Sequence, residues 1–179
     1  MLPTVLLVLA ALAAVFIVVV ATRPAEFRVS RSATIPAPSP EVFAQVNDLH
    51  NWEAWSPWAR LDPQAKGTYD GPREGVDASF AWSGNSEVGE GRMTITGSRP
   101  HELVQLRLEF LKPFKATNTA EFTFEPDGEQ TLVTWTMSGT NNFMSKAVGL
   151  FMDCETMVGG QFEQGLANLK SVVETAPAN

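Results

Sequence analysis

The stretch ELVQLRLEFLKPFKATNTAEFTFEPDGEQTLVTWTMSG, residues 102–139, decides the fold. Val104, Leu106, Leu108 and Phe110 alternate with Gln105, Arg107 and Glu109, the period of two that marks a half-buried strand. Lys112-Pro113-Phe114 makes a turn. Ala120, Phe122 and Phe124 then alternate with Thr119, Glu121, Thr123 and Glu125. Pro126-Asp127-Gly128 turns the chain again, and Val133, Trp135 and Met137 alternate with Thr134, Thr136 and Ser138. Short connections between such runs predict antiparallel neighbours with one apolar face and one polar face.

The same pattern extends upstream. Ala78, Phe80 and Trp82 alternate up to Ser83, and Gly84-Asn85 reads as a two-residue hairpin with Gly first, as a type II′ turn requires. Met93 and Ile95 continue on the returning strand, which ends at the Pro100 turn. Near the start of the domain Phe27, Val29, Ala33 and Ile35 alternate with Arg28, Ser30, Ser32 and Thr34, and Pro36-Ala37-Pro38 ends that strand. Ser39 is the expected cap of a short helix, with Pro40 at its first position and Glu41 favouring its dipole. Val42, Phe43 and Val46 form its buried stripe. Asp48 is the expected cap of a second short helix, which carries Leu49, Trp52 and Trp55 and is stopped by Pro57. Residues 59–76 hold Pro63, Gly67, Gly71, Pro72 and Gly75, and predict a mobile loop around one short strand.

Residues 145–174 change period. Val148, Phe151, Cys154, Val158, Phe162, Leu166, Leu169 and Val173 recur at three and four, the stripe of one long amphipathic helix. Gly159-Gly160 interrupts it, and a bend or a close approach to the sheet is expected there. The predicted class is therefore α+β: one strand, two short helices, about six strands and a long helix. About seven strands form a curved antiparallel sheet, and only that helix is available to cover its apolar face.

Ahead of this domain, residues 1–22 carry no charged side chain. Residues 2–22 as a helix measure roughly 31 Å, about one hydrocarbon thickness. Arg23, Arg28 and Arg31 follow the span and no Lys or Arg precedes it, which predicts an anchor with the domain in the cytoplasm. The competing reading is a cleaved signal peptide with export, since Val19 and Ala21 suit a cleavage site. The expected organisation is 1–22 anchor or signal peptide, 23–26 linker, 27–174 domain and 175–179 tail.

Composition narrows the function. Thirteen Lys+Arg against 20 Asp+Glu give a formal net charge of −7, which argues against nucleic acid as a partner. The single cysteine, Cys154, permits no intramolecular disulfide and no cysteine-based zinc site. His50 and His101 are the only histidines and lie far apart in sequence, so no metal site is expected.

Several segments resemble bacterial polyketide cyclase/dehydrase-like proteins of the START-like, or SRPBCC, superfamily. They are NDLHNWEAWSPW (47–58), AWSGNSEVGEGRMTI (81–95), LEFLKPFKATNTAEFTFEP (108–126), TWTMSGTNNFMSKAVGLFMD (134–153) and GGQFEQGLANLK (159–170). The resemblance implies a helix-grip fold with an apolar cavity between the sheet and the C-terminal helix. It implies no single activity, because such proteins include ligand carriers, cyclases, hydroxylase subunits and cochaperone-like binders. It carries over no catalytic residue and no cofactor.

Strand parity and the helical stripe nominate the lining of that cavity: Trp82, Met93, Leu108, Phe110, Asn118, Phe122, Trp135 and Met137 from the sheet, and Phe151, Val158 and Phe162 from the helix. Trp55 and Trp58 either frame its mouth or, like Trp52, anchor the short helices. Asn141 and Asn142 are placed near an entrance. An asparagine orients a carbonyl or a water but does not act as a base at neutral pH. Asp153 and Glu155 read as a solvated pair, Glu87, Glu90 and Arg92 as cross-strand ion pairs, and Cys154 as an inert core residue. Three functions are consistent with this: a binder of a hydrophobic small molecule or lipid held at a membrane, a polyketide cyclase or dehydratase, and a cochaperone-like interaction domain.

Overall fold

The computed structural model describes residues 2–150 and 153–175. An apolar helix, α1 (Leu2–Ala21), leads into β1 (Glu26–Ile35). Helix α2 (Ser39–Asn47), a 3₁₀ turn over 49–51, α3 (Trp52–Trp55) and a second 3₁₀ turn over 57–60 follow. Six strands come next: β2 (Lys66–Asp70), β3 (Ser79–Ser83), β4 (Glu90–Arg99), β5 (Leu103–Lys112), β6 (Ala116–Asp127) and β7 (Gln130–Thr140). The chain ends in α4 (Phe143–Val148) and α5 (Cys154–Thr175).

The seven strands form one antiparallel sheet in the order β1-β7-β6-β5-β4-β3-β2. This is the arrangement expected from the alternating runs: a meander in chain order, with β1 returning to pair along β7. The inward residues of β5, β6 and β7 meet in register, Val104 opposite Phe122 and Phe122 opposite Trp135. Helix α5 lies across this face and packs on β1. Phe162, Leu166, Leu169 and Val173 are buried on it, whereas Val158 is half-buried. Cys154's side chain and Phe151 lie outside the described residues, as does the tail beyond Thr175.

Five expectations need correction. Ser39 does not cap α2. Pro38 occupies that position, and the Ser39 hydroxyl is buried 3.2 Å from the Thr131 hydroxyl, tying the helix to β7 instead. Asp48, in contrast, caps the following 3₁₀ turn as expected, accepting from His50 N at 2.9 Å. The Gly84-Asn85 hairpin is a six-residue loop, 84–89. The Asn85 side chain accepts from the backbone N–H groups of Glu87 and Val88, and Gly89 takes the left-handed φ of 64° that closes the loop. That Asx turn competes with the tight turn and wins.

The helix expected over 145–174 is two helices, since Gly149 and Leu150 leave the helical path before α5 begins. Gly159-Gly160 breaks nothing. The approach to the sheet anticipated there is made by a side chain: a Cβ on Gly159 would collide with the Arg31 guanidinium. Arg31 is opposite Trp135 in the β1–β7 register and so stands on the apolar face of β1, between Val29 and Ala33. The last correction concerns the ion pairs, because Glu90 pairs with Lys112 at 2.7 Å rather than with Arg92.

Candidate functional site

The concave face divides into a packed half and a half-covered one. In the packed half, β7 and α5 bring Trp135 and Phe162 into parallel contact at 4.1 Å and 9°. Phe122 stacks on the other side of Trp135 at 4.7 Å, and Trp52, Trp55 and Trp58 meet the Trp135 ring edge-on at 5.8–6.1 Å. The spacing of the three tryptophans along the α3 segment puts them on this block. Trp52 and Trp55 donate to the carbonyls of Val46 and Gln45, so both anchor α3 against α2. The close fit of Trp135 needs Gly165, where a Cβ would lie 2.8 Å from its Cζ3. Phe122, Trp135, Phe162 and Trp55 are thus core, with Trp58 half-buried at its edge. One cost remains: among the described residues the buried Trp135 indole N–H has no acceptor.

The half-covered part lies toward the end of the sheet where β1 begins and β7 ends. Phe27, Gly139, Asn118, Leu108, Met93 and Phe80 are successive partners across β1, β7, β6, β5, β4 and β3, so they share one inward row. The next row outward holds Ala116, Phe110, Gly91 and Trp82. Phe27, Phe80, Trp82, Leu108 and Phe110 are only partly buried here, unlike the residues one row further in. The rings lie flat because the neighbouring strand is bare. A Cβ on Gly91 would be 2.5 Å from Trp82 Cζ2, and one on Gly67 would be 2.6 Å from Phe80 Cε2. Trp82 is fixed in that pose by its N–H to Val88 O at 3.0 Å and by edge contact with Phe110 at 6.0 Å. The result is an apolar trough with an aromatic floor. Met137 and Val158 border it from β7 and α5.

One polar group stands on that floor. Asn118 is only 9% exposed, and among the described residues its amide N–H reaches only the Met137 sulfur, at 4.0 Å. A thioether is a weak acceptor, so the amide keeps nearly all its hydrogen-bonding capacity. Gly139 makes the room for it: a Cβ there would collide with Asn118 Oδ1 and lie 2.8 Å from the Phe27 ring.

The wall between β1 and α5 is ionic. Arg31 Nε donates to Glu163 at 2.7 Å, and Nη2 to Glu155 at 3.4 Å. The Glu163 hydrogen bond, with a smaller contribution from Glu155, outweighs desolvation and raises the Arg31 pKa. Asp153 caps α5 through the backbone N–H and hydroxyl of Thr156, and these bonds lower its pKa. Asn142 caps α4 by accepting from Ser145 N at 2.8 Å. On the opposite rim, Asp48 binds His50 Nδ1 and Arg73 Nε, each at 2.8 Å, while His50 stacks on Tyr69 at 3.9 Å. Burial raises the Asp48 pKa, but the hydrogen bonds from His50 and Arg73 outweigh it and leave the value lowered.

The nominated residues therefore fall into two groups. Trp82, Met93, Leu108, Phe110, Asn118, Met137 and Val158 border the trough, whereas Trp55, Trp58, Phe122, Trp135 and Phe162 form the packed block beside it. Residue parity also held signals for Phe27 and Phe80, which belong to the trough floor. Arg31 announced itself as a charge inside an apolar alternation. Gly91 and Gly139 gave no signal, because their role is to leave space for rings on other strands.

A sequence model of the family described as polyketide cyclase / dehydrase and lipid transport matches residues 26–174. The chain belongs to that family. Its sheet and C-terminal helix are the START-like, SRPBCC-type helix-grip fold, and solved structures of low identity share it. CV1439 from Chromobacterium violaceum superimposes with a TM-score of 0.59 at 14% identity, covering 86% of this chain and 100% of that one. The Aha1 dimer from Colwellia psychrerythraea gives 0.60 at 15%, covering 85% and 99%. CalU16 from Micromonospora echinospora gives 0.56 at 16%, covering 86% and 85%. At these identities the likeness is one of fold. No curated protein matches the chain in sequence.

Proposed function

We propose that this protein binds a hydrophobic small molecule or lipid bearing one polar group, in the trough between the sheet and the C-terminal helices, and that it does so as a membrane-anchored domain. The observation that carries the reading is Asn118, a nearly buried amide whose one close side-chain partner among the described residues is a thioether, set in a floor of aromatic rings. Binding sites for such ligands are apolar with few, placed polar groups. The family description, which includes lipid transport, supports the same class of ligand. A cyclase or dehydratase would need a group that exchanges a proton with substrate, and the Asn118 amide at the centre of the floor has no such capacity.

The anchor is argued from α1. Its stretch Pro3–Ala21 has a mean hydropathy of 3.1 and no charge, and it is long enough to cross a bilayer. The arginines that follow support a cytoplasmic domain. In this reading the mouth of the trough lies beside the membrane, because the half-covered rows are at the end of the sheet where β1 follows α1.

The test is native mass spectrometry of the full chain, released from detergent micelles in the gas phase. The wild type should carry an adduct on the order of a few hundred daltons that is not detergent, or acquire one stoichiometrically with an added fatty acid or isoprenoid quinone. Ala116→Trp, which fills the outer row of the trough, should lose it while keeping its far-UV circular dichroism and a cooperative thermal transition. A bare wild type that takes up neither probe, or an adduct unaffected by A116W, would refute the reading.

A further inference from the structure

Among the described residues outside α1, most of the exposed large apolar side chains gather at one end of the domain. Phe114 is 59% exposed at the tip of the β5–β6 turn, beside Leu111. Phe143 and Met144 are 50% and 54% exposed on α4, and Met157 is exposed on the first turns of α5. This is the end at which β1 and β6 begin and β5 and β7 finish. Contiguous exposed apolar surface on a domain marks a place of contact.

The chain itself says what covers it. Only residues 22–25 separate α1 from β1, and four residues span at most about 14 Å. That short link is also pinned. Asn141 N donates to Ala25 O at 2.7 Å, and the Asn141 side chain reaches Pro24 O at 3.5 Å, so the link is fastened to the segment that enters α4. Helix α1 touches α4 directly, and Val20 in its last turn is fully buried although the apolar residues before it are exposed. Helix α4 therefore sits at the depth of the last turn of α1. If α1 spans the bilayer, that depth is the interface between headgroups and acyl chains, where exposed Phe and Met side chains of a short amphipathic element insert.

The chain is acidic overall. Lys112, the last residue of β5, is held by Glu90, and Lys115 in the β5–β6 turn and Lys146 on α4 are two cations beside five exposed apolar side chains, which form the larger part of this surface. We infer that the β5–β6 turn and α4 form a second, apolar membrane contact, which inserts into a zwitterionic bilayer surface and holds the mouth of the trough against it. The inference rests on the anchored reading above, and the experiment separates the two.

The full chain is reconstituted in phosphatidylcholine vesicles, with nitroxide labels on single cysteines in a Cys154→Ala background: Leu12→Cys, Phe114→Cys, Phe143→Cys and Asp127→Cys. Collision rates with oxygen and with a water-soluble nickel chelate are read at each. A label in lipid meets oxygen, one in water meets the chelate, and one in a protein interface meets neither. The expected result is a lipid signature at 12, water at 127, and at 114 and 143 a ratio of oxygen to chelate collisions several-fold above that at 127. Water signatures at 114 and 143 with a lipid signature at 12 would overturn the second contact and leave the anchor standing. Shielding from both reagents at 114 and 143 would overturn it in favour of a protein partner. A water signature at 12 would overturn the anchor and the inference with it. If C154A does not fold, a genetically incorporated nitroxide amino acid at the same positions leaves Cys154 in place and gives the same readout.

Discussion

Replacing Asn118 by leucine separates stability from binding at one position. Leucine has the same number of side-chain heavy atoms as asparagine, and the space beside it is kept open by Gly139. Asn118 is 9% exposed, and its contact with a sulfur at 4.0 Å is too long and too weak to offset the cost of removing an amide from water. Leaving a buried polar group poorly satisfied costs about 1–3 kcal/mol, and a shape-conserving apolar replacement recovers much of that. Repacking around the tetrahedral Cγ takes back a fraction of a kcal/mol. The net expectation is that Asn118→Leu stabilises the domain by about 1–2 kcal/mol, a rise in Tm of roughly 2–8 °C for a domain of this size. Binding should move the other way. Losing the one polar contact to a ligand headgroup removes about 1–1.5 kcal/mol, close to a tenfold loss of affinity. Thermal unfolding followed by near-UV circular dichroism, with titration of a fatty acid probe by native mass spectrometry, reads both quantities. A destabilisation of more than about 1 kcal/mol would refute the reasoning, because it would mean that the amide is satisfied within the fold. Unchanged affinity would refute its role in binding.

Asp48→Asn should flatten the acid limb of the stability profile. The native carboxylate has a lowered pKa, so its contribution is present above the unfolded value, near pH 4, and is lost as pH falls through the native value. Urea denaturation should show wild type above the variant by about 1–3 kcal/mol at pH 7, with the two converging at lower pH. Gly165→Val puts a Cβ 2.8 Å from Trp135 and 3.2 Å from Pro57, and should cost about 1–3 kcal/mol despite the gain in helix propensity, with loss of the Trp135 near-UV signal. Asn142→Ala removes the cap of α4 and should cost about 1 kcal/mol locally. Hydrogen exchange should accelerate over 143–148 while the global Tm stays within a degree or two.

Periodicity alone told much of this fold. The alternating runs of β5, β6 and β7 left no other way to bury Val104, Phe122 and Trp135, and the three-and-four spacing of Phe162, Leu166 and Leu169 supplied part of the cover. Helix α2 and the tryptophans of α3 complete it, contrary to the expectation that the long helix alone was available. A strand exposes one parity to one face, so the sequence also named the residues that could line a site. It did not say which of them would touch one another. Trp135 and Met137 have the same parity, yet one is stacked between Phe122 and Phe162 and the other borders an open trough. What separates them is where α3 and α5 cross the sheet, a matter of tertiary placement.

The glycines make the same point. Gly84 looked like a hairpin and became part of a loop, because the Asn85 side chain offered a competing set of hydrogen bonds. Gly159 looked like a helix break and became a groove for Arg31. Spacing along the chain, charge and hydropathy therefore determined the class, the strand faces, the covering helix and the apolar N-terminal span, since each follows from interactions within a few residues or from the need to hide one face. The division of that face into core and trough was decided only in three dimensions. It depends on which ring lies over which glycine of another strand, and nothing local in the sequence encodes that contact.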